Sequence, residues 1–157
     1  MKKPQTRKAA RTIIFDENDR TAILSVRNGD YYKVPGGGIE PGQTVRQAAK
    51  AEAKQEAGCD VKLIMKIGEH SFVDPKTKKI HHSVFYLAQK IGDYCETSFD
   101  EFEKENDFKL HWLSIEEAIR LFRSASPSEE FGREINQRDL AFLIKAKEIW
   151  FKNKPIC

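Results

Sequence analysis

Glu52 and Glu56 lie four positions apart, shortly after the glycine run Gly36-Gly37-Gly38. The residues between read as a helix over 45–57, and on a helix positions four apart stack on one face. Val45, Ala49, Ala53 and Ala57 then form an apolar row for packing on a sheet, while Arg46, Lys50 and Lys54 form a basic row for solvent. Ala48, Glu52 and Glu56 run between them. Two carboxylates sharing a face repel, and partial burial sharpens the conflict. A hard divalent cation such as Mg²⁺ or Mn²⁺ relieves it, because these ions take oxygen ligands. The glycines add backbone carbonyls and amides that a ligand can approach closely. The chemistry implied is metal-assisted binding of phosphates and their attack by water. The competing reading is a solvated helix face screened by Arg46, Lys50 and Lys54, after a glycine run that is only a turn.

The elements that must position these residues follow from local signals. Residues 9–15 and 22–26 read as strands around the turn Glu17-Asn18-Asp19-Arg20. Asn28-Gly29 turns the chain into a short strand at 31–34, which ends at Pro35 and the glycines. Thr44 is the expected N-cap of the helix, Gln47 completes a capping box and Gly58 supplies the stop. Strands are expected at 61–67, 70–73 and 80–88, the last two around the turn at residues 74–78. Residues 92–107 form a long acidic connection, a length more often functional than idle. A strand at 108–113 leads to a helix capped by Ser114, and a final helix is expected over 138–152. This order predicts an α+β fold, an α/β/α sandwich with a mixed β-sheet between helices. Residues 1–157 read as a single domain with residues 1–8 as a flexible lead-in.

Composition sets outer bounds. The 157 residues are 39% hydrophobic and 32% charged, enough for one buried core. No apolar run approaches the roughly 20 residues of a membrane-spanning helix. A net charge of +3 with dispersed basic residues gives no nucleic-acid footprint. The basic start lacks the apolar stretch of a signal peptide, so a cytoplasmic location is expected. Cys59, Cys95 and Cys157 are odd in number and far apart, and read as reduced thiols; Cys157 is expected to be exposed.

Residues 37–59 resemble the Nudix box, G-x5-E-x7-R-E-U-x-E-E-x-G-U, where U is a bulky aliphatic residue. Gly37, Glu52, Glu56 and Gly58 match it, after the loop text Val-Pro-Gly-Gly-Gly-Ile-Glu-Pro-Gly that such proteins commonly carry. Gln43 replaces the first glutamate, Ala51 the arginine and Gln55 the middle glutamate, while Ala53 and Cys59 are small for the aliphatic positions. Losing the charges at 43 and 51 together would delete an acid–base pair rather than strand one charge. The resemblance extends over roughly residues 9–150 and implies a Nudix-like fold. It assigns the metal to Glu56 and the Gly37 carbonyl, and makes Glu52 a metal ligand or general base. Members often add an acid from the connection before the last strand. Asp100, Glu101, Glu103, Glu105 and Asp107 crowd that stretch, with Glu103 preferred, then Glu105 and Glu101.

The resemblance implies a metal-dependent pyrophosphohydrolase acting on a nucleoside diphosphate linked to another group: a nucleoside triphosphate, a sugar nucleotide or a dinucleoside polyphosphate. The alternative is a degenerate domain that binds a nucleotide or a protein partner without catalysis. A small-molecule nucleotide substrate is the expected partner, and homodimers are common among such domains. Arg11 and Arg27, with Lys33, are candidates to hold its phosphates, flanked by Gly36 and Gly38. Tyr31, Tyr32 and Phe85 could stack on a base, although core packing is the simpler role for each. His81 and His82 fall on opposite faces of a strand, a poor geometry for a shared metal. Trp112 and Trp150 read as core anchors.

Overall fold

A computed structural model describes residues 3–152. The sheet is built from β1 (Thr6–Phe15), β2 (Arg20–Val26), β3 (Tyr31–Lys33), β4 (Gly36–Gly38), β5 (Asp60–Val73), β6 (Ile80–Ile91) and β7 (Lys109–Ser114). The helices are α1 (Val45–Ala57), α2 (Glu101–Glu105), α3 (Ile115–Ser124) and α4 (Glu130–Lys152). The strand order is β3-β2-β1-β6-β5, with β4 paired to β1 and β7 to β2. β1 and β6 run parallel and the other pairs antiparallel, so the sheet is mixed.

Alternation along β1 explains why this sheet has two helical layers. Ala10 and Ile14 face α1 and pack with Ala49, Ala53 and Ala57. Ile13 and Phe15 face the other way, into a core with Ile115 and Phe122 of α3 and Leu143 of α4. A strand buried on both faces is the mark of a sheet covered on both sides. The expected α/β/α sandwich is therefore the architecture observed. Its α4 face is anchored by Trp150 stacked on Phe15 at 4.8 Å and Phe142 on Phe85 at 3.9 Å. Trp112 is half-buried and packs on the α1 side.

Helix α1 begins and ends where its caps require. Thr44 Oγ1 accepts from the Gln47 N–H at 3.1 Å, and Gln47 Oε1 accepts from the Thr44 N–H at 2.9 Å. Gly58 stops the helix in the left-handed conformation, φ 62°.

Five features differ from the sequence reading, the first being that Gly36–Gly38, read as a loop, is strand β4 paired with β1. β1 starts at Thr6, because Thr6, Arg7 and Lys8 pair with Ile80, His81 and His82 of β6; these three residues of the expected lead-in are strand. β5 is one strand rather than two, with register shifts on either side of residues 65–66. Gly68 marks the irregularity: a Cβ there would come within 2.7 Å of the Phe142 ring, so the glycine admits α4 rather than ending the strand. α4 starts at Glu130, not at residue 138, because Phe131 and Ile135 supply only one apolar pair before Arg138 and the first turns also dock through Asn136. A short helix, α2, forms inside the acidic connection. Cys59 is buried and Cys95 exposed, both free, and Cys157 lies outside the described residues. Among the described residues no helix is long and apolar enough to cross a membrane.

Candidate active site

The alanine row lets α1 sit close to the sheet, and the next row of the same helix therefore faces the glycine strand β4. Glu56 is fully buried. Its Oε1 accepts the Gly36 N–H at 2.7 Å, while Oε2 has no hydrogen-bond partner and lies 3.6 Å from Lys33 Nζ. Lys33 also donates to the Gly36 carbonyl at 3.2 Å. Glu52, one turn earlier, lies over Gly37. A Cβ at Gly37 would come within 2.7 Å of the Glu52 carboxylate, so any larger residue displaces the acid.

The third acid arrives along the connection from β6. Tyr94 donates to buried Asp16 at 2.5 Å, the Cys95 N–H donates to the Gly58 carbonyl at 2.6 Å, and the Ser98 N–H donates to the Gln55 carbonyl at 2.8 Å. The strap thus lies across the C-terminal end of α1. A Cβ on Gly58 would come within 2.2 Å of the Cys95 carbonyl oxygen, so the glycine that stops the helix also admits the strap. Asp100 then caps α2. Its Oδ1 accepts the Glu103 N–H and its own N–H donates to Glu103 Oε1, both at 2.8 Å. Gln55 Nε2 donates to the same Glu103 oxygen at 2.9 Å. Glu103 is buried, whereas Glu101 and Glu105 are exposed, so it is Glu103 that the fold delivers. One carboxylate oxygen from each of Glu52, Glu56 and Glu103 lies within 4.8 Å of the others.

Burial governs the protonation of this cluster. Desolvation pushes the Glu56 carboxyl well above its usual range, against the pull of Lys33, and the neighbouring Glu103 carboxylate pushes the same way. Glu52 is also raised by desolvation, partly offset by Lys33. For Glu103 desolvation acts upward, but the neighbouring Glu56 carboxyl and the hydrogen bonds from the Asp100 N–H and Gln55 outweigh it and leave the carboxyl below the usual range. Three acids with one orphaned, fully buried carboxylate oxygen form an incomplete arrangement. An all-oxygen donor set of this kind suits a hard divalent cation.

The acids open into a cleft of about 190 Å³ that also presents Arg11, Arg138, Arg7 and Tyr31. Arg11 is therefore in the cleft, as expected. Arg27 is not beside the acids. It lines a neighbouring cavity of about 380 Å³, where it lies 3.4 Å from Asp30 and over the Tyr31 ring at 5.9 Å. Gly36 and Gly38 line the cleft, with Gly38 beside the Arg7 guanidinium. Tyr31, which reaches both cavities, is the aromatic residue among the three candidates that remains near a ligand; Tyr32 packs on Phe122, and Phe85 on Phe142. His82 pairs with Glu69 at 2.7 Å, and His81 stacks on Phe72 at 5.1 Å.

Two residues, Arg7 and Arg138, and the roles of two more, Gln55 and Asp100, were not legible in the sequence. Arg7 fell in the expected lead-in, and Arg138 in a helix read for its apolar face alone. Gln55 and Asp100 act by orienting Glu103. The capping pattern Asp100-x-x-Glu103 was the one local signal that could have singled out Glu103.

Comparison with known proteins places this geometry. The NUDIX domain model matches residues 5–135. The chain is 28% identical over 111 residues to diphosphoinositol polyphosphate phosphohydrolase 2 of Homo sapiens, covering 71% of this chain and 58% of that protein. It is 32% identical over 78 residues to YtkD of Bacillus subtilis (strain 168), a candidate 8-oxo-dGTP diphosphatase, covering 48% of this chain and 49% of that one. The chain thus spans 49% to 58% of the length of these curated relatives. A NUDIX hydrolase from Nitrosomonas europaea superimposes with a TM-score of 0.65 at 14% identity, over 94% of this chain and 90% of that one. The C. elegans Ap4A hydrolase does so with a TM-score of 0.59 at 18% identity, over 94% and 99%. At such identities the likeness speaks to the fold, and the fold is the same mixed sheet between helices. With the family model matched over most of its length, the chain belongs to the Nudix hydrolase family.

Proposed function

We propose that this protein is a Mg²⁺- or Mn²⁺-dependent pyrophosphohydrolase acting on a nucleoside diphosphate linked to another group. Nucleoside triphosphates, sugar nucleotides and dinucleoside polyphosphates all fall in that class. The observation that carries the reading is the convergence of Glu52, Glu56 and Glu103 beside Gly37, with Glu56 Oε2 buried and unpartnered. Glu56, Glu103 and the Gly37 carbonyl are the groups that would hold the ion, with Glu52 as a further ligand or as general base. When bound, a divalent ion neutralises phosphate oxygens and makes water a nucleophile at neutral pH.

The remaining work belongs to the chain. The Gly36 N–H fixes one oxygen of Glu56, and Lys33 sets a positive charge against the other. Gln55 and the Asp100 N–H hold one oxygen of Glu103. Glu52 is the least buried of the three acids, and a carboxylate there can accept the proton of an attacking water. Arg11 compensates charge on the substrate phosphates, with Gly36 and Gly38 backing them. Arg27 and Tyr31 meet the other half of the substrate in the adjoining cavity. The relatives' names, 8-oxo-dGTP diphosphatase, diphosphoinositol polyphosphate phosphohydrolase and Ap4A hydrolase, support the bond class without choosing the group attached to it.

The replacements at Gln43, Ala51 and Gln55 motivate the alternative of a domain that binds without turnover. Two of them have local explanations. Gln43 accepts the Glu40 N–H at 2.9 Å within the loop, and Gln55 exchanges a charge for a donor aimed at Glu103. Product release from a panel of nucleoside triphosphates, sugar nucleotides and dinucleoside polyphosphates, with Mg²⁺ and separately Mn²⁺, tests the reading. Glu56→Gln is expected to lower kcat/KM by at least ~100-fold, more than the loss of a typical outer-shell partner. Equal release by wild type and variant overturns the metal site. Thermal stabilisation by a nucleotide that is never hydrolysed establishes the alternative instead.

A further inference from the structure

The cleft contains a second charge conflict, opposite in sign to the first. Arg11 of β1 and Arg138 of α4 both direct their guanidinium groups at the Ser83 hydroxyl on β6, Arg11 Nε at 2.9 Å and Arg138 Nη1 at 3.4 Å. Both are buried, with 8% and 4% of their surface exposed. One carboxylate is directly paired with them. Asp139 Oδ1 accepts from Arg138 Nε at 2.7 Å, and its Oδ2 is taken by the Val34 N–H at 3.0 Å. Arg138 Nη2 is buried and has no hydrogen-bond partner among the described residues.

Packing does not account for this pair. The Phe85 and Phe72 rings lie 5.6 Å and 6.0 Å from the Arg138 guanidinium carbon and fix its plane, but they supply no anion. Two buried cations around one hydroxyl share one directly bonded carboxylate, and Glu56 compensates Arg11 only through space. Buried charges persist where they are paired. Burial first, and Arg138 second, already disfavour the charged form of Arg11. Both arginines line the cleft that holds Glu52, Glu56 and Glu103, so a cation at the acids and an anion at the arginines would occupy one continuous space.

We propose that Arg138, with Arg11, forms the subsite that seats the phosphoryl group adjoining the one held at the three glutamates. The substrate is then recognised by a chain of phosphates bridging the two walls of the cleft, with its organic group in the adjoining cavity. A guanidinium presents paired donors that match phosphate oxygens, and Nη2 supplies the donor that the protein leaves unused. This assignment rests on the pyrophosphohydrolase reading for its use, but not for its test.

The probe is inorganic pyrophosphate in excess Mg²⁺, titrated calorimetrically against the full chain. Because Asp139 would be stranded by Arg138→Gln alone, the informative variant is R138Q/D139N, in which the new amide at position 139 still offers an oxygen to the Val34 N–H. Thermal melting confirms that it is folded. Pyrophosphate affinity is expected to fall at least ~10-fold in R138Q/D139N, the scale of hydrogen bonds to charged groups. R138K, which keeps the charge and loses the fork, is expected to fall between that variant and wild type. D139N alone, which frees Arg138 from its carboxylate, should bind at least as tightly as wild type. Equal affinity in wild type and R138Q/D139N overturns the subsite, as does an equal loss in D139N. If nothing in the nucleotide panel is hydrolysed while pyrophosphate binding still depends on Arg138, the subsite stands and the catalytic reading falls. If turnover is found and R138Q/D139N leaves KM unchanged, the subsite falls and the catalytic reading stands.

Discussion

The α1 face of the sheet is packed with Ala48, Ala49, Ala53 and Ala57, whereas the α4 face is packed with Phe122, Phe142, Leu143 and Trp150. Each helix nevertheless brings charge to the same cleft. α1 does so through neighbouring rows of one short helix: small residues pack, and the glutamates beside them are carried to Gly36 and Gly37. α4 is held off by bulky rings and reaches the strands through buried polar side chains. Asn136 Oδ1 accepts the Tyr32 N–H at 2.9 Å, Asn136 Nδ2 donates to the Phe122 carbonyl at 2.8 Å, and Asp139 takes the Val34 N–H. The acid wall is thus set by local periodicity and close approach, and the cationic wall by long-range hydrogen bonds that hold β3 and the chain entering β4. Damage to the first should show in metal binding, and damage to the hydrogen bonds of the second in stability with metal binding intact.

The largest effect is expected where the two demands on α1 meet. In Gly58→Ala the new methyl meets the Cys95 carbonyl oxygen at 2.2 Å and must sit at φ 62°. A loss of ~2–4 kcal/mol in urea unfolding is expected, together with weaker Mn²⁺ binding because the strap carries Glu103. Retention of full Mn²⁺ affinity would separate the strap from the site. Asn136→Ala leaves the Tyr32 N–H and the Phe122 carbonyl without partners and should cost ~2–3 kcal/mol by the same measurement. Its Mn²⁺ affinity should be unchanged, and a parallel loss would erase the contrast between the walls. Gln55→Ala is the mirror case. Mn²⁺ affinity should fall about 10-fold, the lower end for an orienting partner, with the urea midpoint barely moved.

Tyr94→Phe should have the smallest effect, and its pH dependence identifies the contact. Burial pushes the Asp16 carboxyl up, but the Tyr94 hydroxyl and the Arg20 and Asn18 N–H groups outweigh it and hold the carboxyl below its usual range. The folded value is then the lower one, so the stability contributed by Asp16 is complete above about pH 4 and is lost as the pH falls through the folded value. The variant should be ~1 kcal/mol less stable at neutral pH. That deficit should shrink on acidification; a constant deficit would mean that the hydroxyl acts on something other than Asp16.

Legibility in the sequence tracks the distance over which each residue is positioned. The Thr44 cap, the Gly58 stop and the shared face of Glu52 and Glu56 follow from rules that operate within one or two turns, and the structure shows all of them. Glu103 could be ranked but not chosen, because five acids share its stretch and only the strap over α1 and the cap at Asp100 bury one of them. Arg27 lies in the adjoining cavity rather than beside the acids for a related reason. Residues 22–26 read correctly as a strand, but which cavity its end faces depends on where α4 and residues 74–79 come to rest. Arg138 gave no sign, since an arginine within a helix is by default a solvated one.

By itself, the sequence determined most of the elements, the two-sided sheet and the pair of acids on α1, because backbone geometry repeats with a fixed period and side-chain size decides which row packs. Tertiary structure alone decided that a third glutamate joins them and that Arg11 and Arg138 face them across the cleft. Those choices turn on desolvation and on hydrogen bonds between segments far apart in the chain, and a periodic pattern carries no information about either.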